Sequence, residues 1–210
     1  MSHRIMRPLT KPPPSTSAFS LAQREWQKRR TRMADSAVGR MGEDHIEQGR
    51  RIAESLRAEL TGYYAHALDF GCGWGRLVPL LTQHCGHLWA VDMFQDWIER
   101  AAAPPTVTGM LLTEPKLALE DASMNLIVDI MTFQSIKSVK MKEQYASELR
   151  RVAAPGATFI SLSKASDDWA RETLSSSLAL DSNATFSTAD TTIDTAGDTY
   201  YFLVGKKGGE

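Results

Sequence analysis

The stretch that most restricts how this chain can fold is Ala67-Leu68-Asp69-Phe70-Gly71-Cys72-Gly73-Trp74-Gly75-Arg76-Leu77. A mostly apolar, strand-like run passes without a break into three glycines at alternate positions, and a helical segment follows. Glycines there let the backbone turn sharply and approach a ligand, because no Cβ stands in the way. The order strand, glycine loop, helix belongs to parallel α/β sheets, whose ligands lie outside the carboxyl ends of the strands. The surrounding pattern agrees. After Gly62, short apolar runs alternate with helical segments, which predicts a mostly parallel sheet wrapped by helices.

Strands are expected near 66–70, 88–91, 107–112, 126–130 and 157–162, with helices near 76–85, 94–102 and 140–153. A further helix is expected after Ser166, where Asp167 and Asp168 suit the positive end of a helix dipole. Two closing strands, about 184–193 and 199–205, are joined through Asp194-Thr195-Ala196-Gly197-Asp198, and a turn that short makes the pair antiparallel. Upstream, residues 1–19 are Pro-rich and aperiodic and read as an extended tail. One helix is expected from Ser20, as N-cap, to about Met33. A second starts near Asp44, with Ile46, Ala53, Leu56 and Leu60 on one face and Gly62 as its stop. The expected organisation is a basic Pro-rich tail over 1–19, N-terminal helices over 20–62 and one ligand-binding domain over 63–210.

Composition removes several classes. Cys72 and Cys85 are the only two cysteines, so there is no disulfide framework, and a reducing compartment is the simpler setting. No apolar run approaches the roughly 18 residues of a membrane span, and the first residues lack the apolar core of a secretory signal. A cytoplasmic location and no membrane partner are therefore expected. The net charge of −1 hides an asymmetry: residues 1–33 hold eight Lys/Arg against Glu25 alone, +7, which leaves −8 on the rest. Such an arm suits contact with a polyanion or with its own acidic body. Its Arg-rich, acid-poor composition also resembles a transit peptide, although Pro12-Pro13-Pro14 interrupts any amphipathic helix there.

Three clusters have plain readings. His84-Cys85-Gly86-His87 marks a helix end rather than a metal site, since no second ligand pair of suitable spacing exists. No metal is expected. Lys137, Lys140 and Lys142 read as a solvated helix entrance. Trp26 reads as packing, with closure over a ligand as the alternative.

The glycine spacing then decides between families. A dinucleotide fingerprint starting at Gly71 and Gly73 needs its third glycine at position 76, which is Arg76. The spacing Asp69-x-Gly71-x-Gly73-x-Gly75 instead resembles motif I of class I S-adenosylmethionine-dependent methyltransferases. Three further features fall in order. Leu88-Trp89-Ala90-Val91 ends at Asp92, Leu117 to Ile130 resembles the approach to the family's fourth strand, and Glu148 to Ala157 resembles the helix and turn before its fifth. The resemblance covers about residues 63–205. It implies a Rossmann-like α/β fold: a seven-stranded sheet, mostly parallel with a reversed last strand, helices on both faces and a short helical N-terminal extension.

The resemblance also implies a cofactor, S-adenosyl-L-methionine, and residues to hold it. Asp69, Gly71, Cys72, Gly73 and Gly75 would surround its methionine and ribose portions, and Asp92 would accept hydrogen bonds from the ribose hydroxyls with Met93 beside it. Glu114 would receive the adenine amino group, and Asp129 and Ile130 would lie at the methionine end. Asp92 also has a plainer role as cap of the next helix. Two departures stand out: Met124-Asn125 replaces the usual Phe-Asp, and Ser135 stands where many relatives carry a histidine. No catalytic residue is assigned, because displacement at a sulfonium methyl needs alignment more than a dedicated base. No Asn-Pro-Pro-Tyr-like or Asp-Pro-Pro-Tyr-like tetrapeptide follows strand four, and no Pro-Cys pair is present for cytosine C5 chemistry. The expected activity is methyl transfer to an unidentified acceptor, with a small molecule favoured. The alternatives are a catalytically silent binding or structural protein of the same fold, and a protein or RNA methyltransferase that uses the basic arm.

Overall fold

The computed structural model describes residues 18–36, 41–188 and 199–208. Strands run over Tyr64–Phe70 (β1), Cys85–Asp92 (β2), Val107–Leu111 (β3), Met124–Ile130 (β4), Ala153–Lys164 (β5), Thr185–Thr188 (β6) and Tyr200–Lys206 (β7). Helices run over Ala18–Ser36 (α1), Met41–Glu59 (α2), Val78–Leu81 (α3), Gln95–Ala101 (α4), Val139–Val152 (α5), Asp168–Glu172 (α6) and Leu174–Ser177 (α7), with a 3-10 turn over Phe133–Ser135.

The strands form one sheet in the order β3-β2-β1-β4-β5-β7-β6. Neighbours from β3 to β5 pair in parallel, whereas β7 is antiparallel to both β5 and β6. The expected reversed strand is therefore β7. Successive strand residues face opposite sides, so the continuous apolar runs fill two cores. On one side Ile52, Leu56 and Leu60, from α2 and just past its end, pack with Leu81 and Ala101 on Ala67, Leu88, Leu126 and Val128. On the other, Tyr145 and Leu149 of α5 and Leu174 of α7 pack on Leu68, Phe70 and Ile127, and Phe19 of α1 joins them.

Several boundaries differ from the sequence reading. Helix α1 starts at Ala18, not at Ser20, and Phe19 is a core residue, 4% exposed, rather than part of a tail. Helix α2 starts at Met41 and stops at Glu59, ahead of Gly62. Helix α3 is a single turn, because Cys85, Gly86 and His87 belong to β2, where Tyr64 pairs with Cys85 and His66 with His87. A tertiary ladder there overrides the expected helix end. β5 begins at Ala153, four residues early, and accommodates Gly156 at φ +73° beside an irregularity in its register with β4. Lys142, expected on a solvated entrance, is only 6% exposed and is paired with Asp167. Residues 1–17 of the expected 1–19 tail, and with them Arg4, Arg7 and Lys11 of the basic arm, and the closing turn at 194–198 lie outside the described residues.

No helix joins β3 to β4. Arg151 of α5 holds that connection instead: its guanidinium donates to the carbonyls of Leu117 and Leu119, each at 2.9 Å, and Glu148 accepts from Leu117 N at 3.0 Å. Among the described residues, no helix is long and apolar enough to cross a membrane.

Candidate functional site

β1, β2 and β4 are neighbours that end at the same edge of the sheet, at Phe70, Asp92 and Ile130. The chain leaving β1 is fastened to β2. Gly71 N and Cys72 N donate to the Val91 carbonyl at 2.8 and 3.0 Å, and Gly73 N donates to Asp92 Oδ2 at 3.0 Å. Gly71, Gly73 and Gly75 all have positive φ, +78°, +53° and +82°, a region that disfavours other residues. Two of them do different work. A Cβ on Gly71 would lie 2.1 Å from Thr132 Oγ1, so the loop closes tightly on the segment after β4. A Cβ on Gly73 would meet only Trp97, at 4.0 Å, so the missing side chain leaves a bare backbone cradle.

Asp92 is 7% exposed and uses both oxygens. Oδ1 accepts from Met93 N at 2.7 Å and Phe94 N at 3.1 Å, at the entrance to α4, while Oδ2 holds Gly73. The carboxylate thus binds the glycine loop to the segment that leads into α4, whose N-cap is Phe94.

Asp69 is 2% exposed, and its Oδ2 has no hydrogen-bond partner among the described residues. Burial pushes its carboxyl up to about 7; Arg76 opposes this, and Asp92 and Asp129 add to it. A buried acceptor without a partner is costly, and an incoming donor or cation relieves it. Cys72 is buried with its thiol directed to the Gly73 carbonyl at 3.4 Å, and burial pushes that thiol up as well.

Beside this floor opens a cleft of about 430 Å³. Its walls are Gln23, Arg24 and Gln27 of α1, the segment Met93 to Asp96, and Leu111 at the end of β3. Gln23 Nε2 donates to the Met93 carbonyl at 3.2 Å and ties α1 across it.

The structure therefore brings Asp69, Gly71, Cys72, Gly73, Gly75, Asp92 and Met93 to one edge. It does not bring Glu114 to the cleft walls; Leu111 stands there instead. Ile130 is 7% exposed and packs into the core. Asp129 is committed to protein partners: Oδ1 accepts from Thr132 N at 2.9 Å and Phe133 N at 3.3 Å, and Oδ2 accepts from Ser161 Oγ at 2.6 Å. Burial pushes its carboxyl up to about 6 against those three bonds. Gln23, Arg24 and Gln27 were missed in the sequence. Their signal was present, since Phe19, Gln23 and Gln27 follow at spacings of four on one helix face.

Residues 68–161 match the family described as methyltransferase domain. Among solved structures, the 1,6-didemethyltoxoflavin-N1-methyltransferase of Burkholderia thailandensis superimposes with a TM-score of 0.70 at 16% identity, covering 96% of this chain and 94% of its own. The N-methyltransferase NodS of Bradyrhizobium japonicum WM9, in complex with S-adenosyl-L-homocysteine, gives 0.65 at 19% identity, covering 90% and 98%. The [4+2]-cyclase SpnF gives 0.60 at 13% identity, covering 76% and 81%. No curated protein matches this chain in sequence.

Proposed function

We propose that this protein, whose residues 68–161 match a methyltransferase domain, is a class I S-adenosylmethionine-dependent methyltransferase that transfers a methyl group to a small-molecule acceptor. The observation that carries the proposal is the floor of the site: a bare cradle at Gly73 between Asp92 and the unpartnered oxygen of Asp69.

The residues present fit the cofactor. S-adenosyl-L-methionine supplies an electrophilic methyl carbon on a sulfonium, together with an ammonium group. Asp69 and Asp92 place negative charge where a cationic ligand gains from it, and Asp69 offers a free acceptor to an N–H donor. Asp92, held by Gly73 N and Met93 N at the end of β2, places a carboxylate beside the cleft, the group type that receives a vicinal diol. The cleft sets the apolar Met93, Phe94 and Leu111 beside polar walls from Gln23, Arg24 and Gln27, a lining suited to a flat ring with polar edges. Glu114, Asp129 and Ile130 have smaller parts in this reading, since none offers a free polar atom to the cleft.

Chemistry at the acceptor then depends on alignment and on excluding water. Met131, at the exit of β4, holds φ +66°, an unusual conformation for a side-chain-bearing residue, with its side chain partly buried against the core. Ser135, at the position where many relatives carry a histidine, donates to the Met131 carbonyl at 2.8 Å and so shapes the backbone. One of the similar structures is an N-methyltransferase with the small molecule 1,6-didemethyltoxoflavin bound, which supports a small acceptor here. SpnF shows that one fold also hosts a cyclase, so function rests on the site.

Calorimetric titration with S-adenosylmethionine, S-adenosylhomocysteine and NAD tests the reading. Binding of the first two and not of NAD is expected. NAD binding without the others would overturn it.

A further inference from the structure

The ion pair between Lys142 and Asp167 lies outside the cofactor cleft, and nothing in the proposed chemistry uses it. Lys142 Nζ lies 3.1 and 3.2 Å from the two carboxylate oxygens of Asp167, with side chains 8% and 12% exposed. The same ammonium sits 5.0 Å from the ring centre of Trp169. Trp169 stacks on Phe133, with ring centres 5.3 Å apart at an interplanar angle of 28°. Phe133 is fully buried, against Phe70 at 5.7 Å. Its neighbour Thr132 donates to the Phe70 carbonyl at 2.9 Å and fills the space beside Gly71.

The contacts are contiguous, from the first turn of α5 to the glycine loop. A second strut runs parallel to them: Lys164 N donates to Gln134 Oε1 at 2.7 Å, and Asp167 N donates to the Lys164 carbonyl at 2.9 Å. The segments after β4 and after β5 are thus joined into one ledge. Asp167 also accepts from Ala170 N at 3.3 Å, so it caps α6 whether or not Lys142 is present. Stability alone is a poor reason for such a pair, because well-packed apolar residues often replace a buried ion pair without loss. Its geometry is more informative, since a fixed ammonium lies over the Trp169 ring on which Phe133 also stacks.

We infer that Lys142 is a positioning residue: paired with Asp167 beneath Trp169, it fixes Phe133 and Thr132 and thereby the loop Gly71–Gly75. This inference rests on the reading of that loop as the cofactor loop.

The test uses the full chain as Lys142→Met, Lys142→Arg and the double variant Lys142→Met/Asp167→Asn. S-adenosylhomocysteine affinity, melting temperature and amide exchange over residues 131–136 are measured for each. Lys142→Met is expected to weaken S-adenosylhomocysteine about tenfold, in the range of coupling through packed networks, and to speed exchange at 131–136. Lys142→Arg keeps the cation and should retain most of the affinity. The double variant leaves no unpaired buried charge and still caps α6, so its melting temperature should recover while its affinity stays low. Recovery of affinity together with melting temperature would show that only charge neutrality matters, and would overturn the inference. So would unchanged affinity and exchange in Lys142→Met. If the wild-type chain bound no S-adenosylhomocysteine, the cofactor reading would fail by itself. Exchange at 131–136 would then still decide the positioning role.

Discussion

At the scale of single residues, Asp92 carries the most. Its carboxylate accepts from Gly73 N, Met93 N and Phe94 N, so it fastens the glycine loop, and in the proposed function it also receives the ligand diol. Asp92→Ala therefore strands three backbone amides. We expect that variant to lose about 1 kcal/mol of cofactor-free stability, the size of a lost helix cap. It should also bind S-adenosylhomocysteine roughly ten- to a hundredfold more weakly, since a hydrogen bond to a charged group contributes about 1.5–3 kcal/mol. Asp92→Asn keeps one acceptor oxygen and should lose less of both. A fall in melting temperature with unchanged affinity would make Asp92 purely structural. The identity of these residues was legible in the sequence because glycine spacing and a strand-end acid are local signals. Their bonding was not, since Asp92 meets Gly73 across 19 positions of chain.

At the scale of elements, helix α1 is the part whose role the sequence least revealed. Its polar residues Gln23, Arg24 and Gln27 line the cleft, while Phe19, one turn earlier, is 4% exposed in the core. Burial of Phe19 anchors the helix so that Gln23 can reach the Met93 carbonyl. Phe19→Ala removes a large buried ring, a change that typically costs about 3–5 kcal/mol. Part of that loss falls on the docking of α1 rather than on the sheet. The expected outcome is weaker S-adenosylhomocysteine binding and faster amide exchange within α1, with β1 and β4 amides little changed. Uniformly faster exchange in all elements would show that α1 has no local role. The strands themselves were legible in the sequence, because their apolar runs are short and bounded. Helix α3 and the segment Cys85–His87 were not, since pairing of β2 with β1 claims residues that otherwise read as a helix end. The missing helix between β3 and β4 is likewise a tertiary matter, made tolerable by Arg151.

For the whole molecule, the pH dependence of stability follows from two buried acids. Asp69 and Asp129 are raised from an ordinary value of 3.8 to about 7 and about 6. Between about pH 4 and 7 the folded chain therefore holds protons that the unfolded chain has released, and these groups make stability fall as pH rises. Glu148, lowered by Arg151, acts in the opposite direction at the acid end. Comparison with Asp69→Asn isolates the first effect. At about pH 3.5 the two proteins should melt nearly alike, since Asp69 is then largely protonated both folded and unfolded, and a protonated acid and an amide are similar. At pH 8 the variant should melt several degrees higher, because a shift of this size corresponds to at most about 4 kcal/mol. The same variant should bind S-adenosylhomocysteine more weakly. A melting temperature lowered equally at both pH values would contradict the proposed ionisation of Asp69.

The sequence by itself determined the order of strand, glycine loop and helix and the reversed closing strand. Each is set by neighbours within a few positions, where backbone sterics and hydrophobic period act directly. Only the tertiary structure decided which carboxylate stays without a partner, which lysine is buried and where α1 lies. Asp69, Lys142 and Gln23 are ordinary polar residues in the chain. Their burial and their partners come from segments far apart in sequence, and desolvation has no meaning until those segments meet.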